Sequence, residues 1–504
     1  MKSSSIPFVA AMLFCELFAL HSGAQETIYH EPYRPQLHFS PQEHWINDPN
    51  GMVYFQGTYH LFFQYHPYST TWGPMHWGHA TSRDLVHWEQ QPIALYPDSL
   101  GYIFSGSAVI DQTNSSGLGS LAHPPMVAIY TSHNPKATQD RDREKQSIAY
   151  SLDRGQTWVK YPGNPVLDNP GISDFRDPKV MWYEAGRRWI MTLATKDRVT
   201  FYSSPDLKHW KKESEFGSGL GAHGGVWECP DLFSLPDGNR TVWVLLVNLN
   251  PGGPNKGSST QYFTGDFDGH QFTPFSTRTK WLDYGPDEYA GVTFSNTGNR
   301  RILIGWMTNW LYANQVPTLR WRSAMTLPRE LKLMHTREEL LLASQPVAEL
   351  SGQALDPLGE LTEMATRAQY AELTGIRLPA RLDLGLDSLR DFSVTLTSPA
   401  GDSVVIGYQS AAHRYYIDRT HSGKVDFQPD FAARHFAPRL SESANLRLTL
   451  FIDVASVELF ADDGLTVMTE TFFPREPLDK IALRSEARMN FNKVEFRPYK
   501  GIWK

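Results

Sequence analysis

Three acidic residues, Asp48, Asp177 and Glu228, recur in one layout: Asn47-Asp48-Pro49, Arg176-Asp177-Pro178 and Glu228-Cys229-Pro230. After each comes a β-forming run and then a turn glycine. Nine residues separate Asp48 from Gly57 and Asp177 from Gly186, and ten separate Glu228 from Gly238. Proline fixes its own φ and biases the residue before it toward extended backbone, so the main chain aims the carboxylate. One such stretch is an ordinary turn. Three of them imply that three acids open three equivalent hairpins and converge. Like charges brought together cost stability, and catalysis is the usual reason for accepting that cost. Two carboxylates across a glycosidic bond are the minimum for its hydrolysis: one attacks the anomeric carbon, the other protonates the leaving oxygen and then activates water. A third can hold sugar hydroxyls as positive charge develops. Asp48, Glu228 and Asp177 suit these roles in that order. Trp227 is expected to help raise the pKa of Glu228, and Arg176 to orient a carboxylate or grip a hydroxyl.

Convergence needs a scaffold. From His38 to about Arg329 the chain is a series of short β-like runs broken by Gly, Pro, Asn and Asp, without long helical periodicity. A second signature repeats: Ser82-Arg83-Asp84 leads to Trp88, Ser151-Leu152-Asp153 to Trp158, Ser204-Pro205-Asp206 to Trp210, and more loosely Gly265 to Gly269 leads to Phe272. The Asp positions 84, 153, 206 and 268 are spaced as four-stranded propeller blades with variable loops would be. A unit around Phe104 to Ile110 and another from Asp287 to Met307, turning at Gly298, complete five blades. Residues 331–352 read as a linker, with a short helix at Arg337 to Leu342. Beyond it, alternation at Phe392 to Leu396, Arg447 to Ile452 and Ser456 to Phe460, with a turn at Asp462-Asp463-Gly464, suggests a β-sandwich.

The 504-residue chain is long enough for more than one domain. Its net charge of −7 gives no reason to expect nucleic acid as a partner. Lys2, the apolar run Ile6 to Leu20 and the small residues Ser22-Gly23-Ala24 read as an export signal with Gln25 as mature start; Glu16 interrupts the run. An exported, periplasmic or extracellular protein without a membrane span is expected. The only cysteines are Cys15 and Cys229, so removal of the signal leaves Cys229 alone beside Glu228, where it could tune that acid. His66, His76, His79 and His87 follow no regular ligand spacing, and the chemistry needs neither metal nor cofactor.

Taken together in order, Trp45 to Gly51, Phe63 to Pro67, Trp72-Gly73, Phe104 to Ser107, Phe175 to Pro178, Trp227 to Asp231, Asp287 to Ala290 and Gly305 to Trp310 form a specific set. With it the chain resembles glycoside hydrolase family 32, the β-fructofuranosidases: invertases, inulinases and levanases. Ile46 stands where many members carry Met. The resemblance, covering about residues 37 to 500, implies a five-bladed β-propeller followed by a C-terminal β-sandwich. With the segments above this divides the chain into 1–24 signal, 25–330 propeller, 331–352 linker and 353–504 sandwich. It also implies Asp48 as nucleophile, Glu228 as acid/base and Asp177 as transition-state stabiliser, with Asn47, Gln64, Trp72, Phe104, Ser105, Arg176, Tyr289 and Trp310 lining a fructosyl pocket. Trp72 and Trp310 also read as plain core aromatics. A retaining mechanism would hold the Asp48 and Glu228 carboxyl groups roughly 5–5.5 Å apart.

The expectation is therefore an exported, retaining, fructose-releasing enzyme acting on levan or inulin, with sucrose as a further substrate. The stretch Tyr312 to Thr318 looks more like levanases and inulinases than sucrose-only invertases. Alternatives are a sucrose invertase, an endo-acting levanase, a fructosyltransferase, or a fructan-binding protein without catalysis; the intact trio of acids argues against the last.

Overall fold

The computed structural model describes residues 28–358, 369–485 and 491–503. The expected signal segment 1–24, with Cys15, lies outside them. Five antiparallel sheets follow one another along the chain, and each begins with the strand nearest the common axis. These inner strands are His44–Phe55, Tyr102–Ile110, Phe175–Tyr183, Val226–Asp237 and Tyr289–Thr293. Each packs beside the next, and the fifth returns to the first, which closes a five-bladed propeller. Closure is stitched by backbone bonds between Ser295 and Met52 (2.9 Å) and between Tyr54 and Ser295 (3.0 Å). Trp321–Arg322 also pairs in parallel with His44 and Trp45.

The recurring Ser/Asp signature is the hairpin joining the third and fourth strands of blades one to four. Asp84, Asp153, Asp206 and Asp268 each accept backbone N–H groups two to four residues on. The indoles of Trp88, Trp158 and Trp210 donate to the carbonyls of Leu85, Gly155 and Leu207 at 3.0–3.2 Å. The turn is thus closed locally by side chains that satisfy its backbone, which is why it recurs.

Residues 331–352 are not a linker. Arg329–His335 and Leu340–Pro346 are the third and fourth strands of blade five, and the expected helix at Arg337 to Leu342 is instead a hairpin turn entering a strand. The reason is burial with a period of two. Leu331 and Leu342 pack toward blade four, with Phe233, Leu246 and Tyr262. Leu341 and Ala343 pack toward Leu465 of the second domain. A strand covered on both faces reads as a continuous apolar run, which single-sequence patterning confuses with a helix.

The second domain is a β-sandwich of a six-stranded and a five-stranded antiparallel sheet. Its interior is filled by alternating residues such as Leu382, Val394, Ile406, Leu450 and Leu459. Its contact with the propeller includes buried ion pairs beside apolar clusters. Buried Arg329 of blade five donates to Asp283 (2.8 Å) and to Glu458 of the sandwich (3.0 Å). Buried Arg419 of the sandwich reaches Asp287 (2.6 Å) and the Tyr312 hydroxyl (2.9 Å). His38, ahead of blade one, bridges Asp453 and Glu458 at 2.7 and 2.8 Å.

Candidate active site

The three acids do not precede their strands, as the sequence suggested; they lie inside them. The following prolines do not end the strands because each sits on an innermost strand at a bulge, where a missing N–H breaks no ladder. Pairing between first and second strands is interrupted at one level in all five blades. The breaks fall at Asn47/Pro49, Ile103/Gly106, opposite Arg176 to Lys179, at Glu228/Asp231 and at Tyr289/Val292. Asp177, Cys229 and Ala290 sit at these breaks with φ of 65°, 41° and 53°. Left-handed backbone at non-glycine residues is strained, and the bulges turn that strain into side-chain direction. The result is a ring of bulges at the mouth of the central funnel, each re-aiming one or two side chains inward.

Neighbouring blades lock this ring. Asp177 donates its N–H to Thr131 Oγ1 of blade two at 3.0 Å. Ser107 donates to the Pro178 carbonyl (2.9 Å) and accepts from Val180 N–H (2.9 Å). Asn248 donates to the Cys229 carbonyl (2.9 Å) and accepts from Gly291 N–H (3.1 Å), tying blade four to blade five.

Within the ring the three acids meet through shared neighbours. Asp48 Oδ2 accepts from Ser105 Oγ at 2.6 Å, and Oδ1 accepts from Asn47 Nδ2 at 3.0 Å. Asn47 is itself held by the Trp45 indole (2.8 Å). Asp177 Oδ2 accepts the Cys229 N–H at 3.0 Å. Glu228 accepts from Arg176 Nη2 at 2.9 Å and from the Tyr289 hydroxyl. The Cys229 thiol lies 3.6 Å from Asp48 Oδ2, so this residue faces the other two acids rather than Glu228, its chain neighbour.

Electrostatics single out Asp177. Burial, with the negative charges of Glu228 and Asp48, pushes its carboxyl up to about 8 against the opposing pull of Arg176. Burial and the same three acids hold the Cys229 thiol well above its ordinary value, so it stays protonated. The Tyr289 hydroxyl is likewise raised by burial and by Glu228, which keeps it a donor. Arg176 stays charged: burial alone would weaken it, but Glu228, Glu144, Asp177 and Asp174 surround it. Trp227, expected to be the apolar neighbour of Glu228, points the other way. It is fully buried in the core shared by blades three and four, as strand alternation dictates, with its indole on the Ala222 carbonyl. What flanks the Glu228 carboxyl is Arg176 and Tyr289.

Asn47, Gln64, Trp72, Phe104, Ser105, Arg176 and Trp310 line one cavity of about 360 Å³ with Asp48, Asp177 and Glu228. Tyr289 reaches the group through its bond to Glu228. The buried Gln64 Nε2 has no hydrogen-bond partner among the described residues. Trp72 is 42% exposed and is no core residue. Trp310 is half-buried, its ring 4.8 Å from Trp306 and 5.8 Å from Trp45, so it is wall and packing at once. Four further residues line the cavity: His133, Arg143, Glu144 and Asp174. Phe104 stacks on His133 at 4.1 Å. Glu144 accepts from Phe175 N–H (2.7 Å) and lies within 3.4 Å of His133 and Arg176, while Asp174 takes Arg176 Nη1 at 2.6 Å. Asp174 stood two residues from Arg176 in the sequence; nothing marked His133 or Glu144. The four histidines weighed as a metal set serve separate partners: His66 the Thr71 carbonyl, His76 that of Pro74, His79 the His60 ring and His87 Asp84.

Comparison with known proteins agrees with this geometry. Residues 38–345 match the glycosyl hydrolases family 32 N-terminal domain, and residues 356–498 the family's C-terminal domain. The chain is 44% identical over 497 residues to a levanase of Bacillus subtilis, covering 95% of this chain and 72% of that protein. It is 42% identical over 496 residues to an extracellular exo-inulinase of Aspergillus niger, covering 90% and 92%. The crystal structure of exo-inulinase from Aspergillus awamori superimposes with a TM-score of 0.86 at 37% identity, over 94% of this chain and all of that one. A five-bladed propeller with three acids at its mouth, a trailing sandwich and these matches lead to one assignment: the chain is a glycosidase belonging to glycosyl hydrolase family 32.

Proposed function

We propose that this chain is a retaining β-fructofuranosidase that releases fructose from the ends of fructan chains, levan or inulin, and also cleaves sucrose. The observation that carries the reading is the convergence of Asp48, Asp177 and Glu228 on one cavity, each acid held by different donors. Asp48 attacks the anomeric carbon of a terminal fructosyl unit, its carboxylate aimed by Ser105 and Asn47. Glu228 gives a proton to the departing oxygen and later takes one from the incoming water. Arg176 and Tyr289 fix its position throughout. Asp177 holds ring hydroxyls as the oxocarbenium charge grows. Asn47, Gln64, Trp72, Phe104, Ser105 and Trp310 hold the fructosyl ring. A small cavity walled by Trp72, Phe104 and Trp310 suits a chain end better than a strand passing through.

Relatives named levanase, exo-inulinase and invertase support both polymer and disaccharide as substrates, and the extracellular relative supports export. In this reading residues 1–24 are the export signal, the propeller carries catalysis and the sandwich buttresses blade five. Product analysis on levan, inulin and sucrose tests it. Fructose alone at early times is expected from either polymer; early oligosaccharides would mean endo action, and no hydrolysis of any of the three would overturn the activity.

A further inference from the structure

The rim of the cavity is not uniform. Among the described residues five aromatic side chains are largely exposed: Tyr68, Trp72, Tyr96, Phe275 and Tyr370. Three of these, Tyr68 (71%), Trp72 (42%) and Tyr96 (54%), belong to one sector, the active-site end of blade one. Strand pairing places them there. Asn47 pairs with Gln64 and Trp45 with His66, so the chain leaves the second strand on the side of Asp48. His76 starts the third strand on that side, and Leu95, paired with Trp77, ends the fourth there, just before Tyr96.

The sector is built rather than loose. His66 bonds the Thr71 carbonyl at 2.7 Å, and Gly73 lies so close over its imidazole that a Cβ would fall 2.4 Å from the ring. Trp72 N–H is tied to Asn314 Oδ1 (2.9 Å), and its ring meets Phe104 edge-on at 6.2 Å. Buried His76 sets both tyrosines: its ring lies 5.7 Å from Tyr68 and 5.5 Å from Tyr96, near-perpendicular to each. Each tyrosine ring is therefore oriented by a fixed partner while most of its surface stays in water. Exposed aromatics held this way gain little from packing, and their C–H-binding faces match the apolar face of a sugar ring.

The geometry points to a track for the fructan chain, running from Trp72 over Tyr68 to Tyr96, that takes fructosyl units beyond the scissile bond. This rests on the fructosidase reading above, and it makes the preferred substrate a polymer, because sucrose carries only one sugar unit beyond the scissile bond and neither tyrosine lines the cavity that holds the three acids. The test compares Tyr68→Ala, Tyr96→Ala and the double variant with wild type, using initial rates on sucrose and on levan and inulin of long chain length. In the double variant kcat/KM on one polymer or both is expected to fall by about five- to tenfold, mainly through KM, while sucrose stays within about twofold. Tyr68→Phe, which keeps the ring, should retain the polymer rate. Unchanged polymer kinetics, or an equal loss on sucrose, would overturn the track while leaving the activity itself standing. A wild-type protein inactive on all three substrates would instead defeat the reading beneath it.

Discussion

Arg176 Nη2 lies 2.9 Å from Glu228 Oε1, although the two belong to different blades. The same guanidinium reaches Asp174 at 2.6 Å and Glu144 at 3.4 Å. It thus links Glu228, the proposed acid/base, to a fixed frame behind it. Lysine is a single point charge and cannot reproduce this fork. Arg176→Lys should lower kcat/KM by about 10²-fold with a small change in melting temperature, measured by steady-state kinetics and thermal denaturation.

Asp48→Asn and Glu228→Gln should each reduce turnover by several orders of magnitude while folding normally, as loss of a nucleophile or an acid/base implies. NMR of the first-formed product should show fructose with the anomeric configuration of the substrate. An inverted product would rule out a covalent intermediate on Asp48.

Burial and the charges of Glu228 and Asp48 favour the protonated Asp177 carboxyl in the folded protein. Its value is about 8 in the folded protein against an ordinary 3.8, so between those limits the native state binds more protons than the unfolded one. The stability this group contributes is complete below about pH 4 and is lost as pH rises through 8. Asp177→Asn keeps the shape but cannot titrate. It should abolish activity yet melt less steeply with rising pH than wild type, and higher than wild type at pH 8. A wild-type melting curve that is no more sensitive to this pH rise than the variant's would contradict the burial argument.

Arg329 is fully buried between Asp283 and Glu458, so Arg329→Met strips Asp283 of its cation and leaves Glu458 with His38 alone. Breaking a buried pair from one side costs about 3–5 kcal/mol. Chemical denaturation should show a loss of that order, with the propeller and sandwich no longer unfolding together.

Gly73→Ala would drive a methyl group into the His66 ring. The loop carrying Trp72 must shift, so KM should rise several-fold on every substrate, sucrose included. That separates it from Tyr68 and Tyr96, whose loss is expected to touch polymers alone.

Much was legible in the residues themselves, because it is local chemistry. Proline directly after Asp48 and Asp177, and two residues after Glu228, marked three equivalent positions. The Ser/Asp turns closed by Trp88, Trp158 and Trp210 satisfy their own backbone, so they repeat visibly along the chain. What tertiary structure decided depends on contacts between distant strands. The run Leu340 to Ala343 became a strand only because blade four and the sandwich cover its two faces. Trp227 turned from Glu228 into the core because neighbours on a strand face opposite sides. His133 and Glu144 joined the site through stacking on Phe104 and bonding to blade three, for which spacing leaves no trace. The acidity of Asp177 belongs to the assembly alone, since desolvation and the charges of Asp48 and Glu228 arise only when separate blades close on one axis.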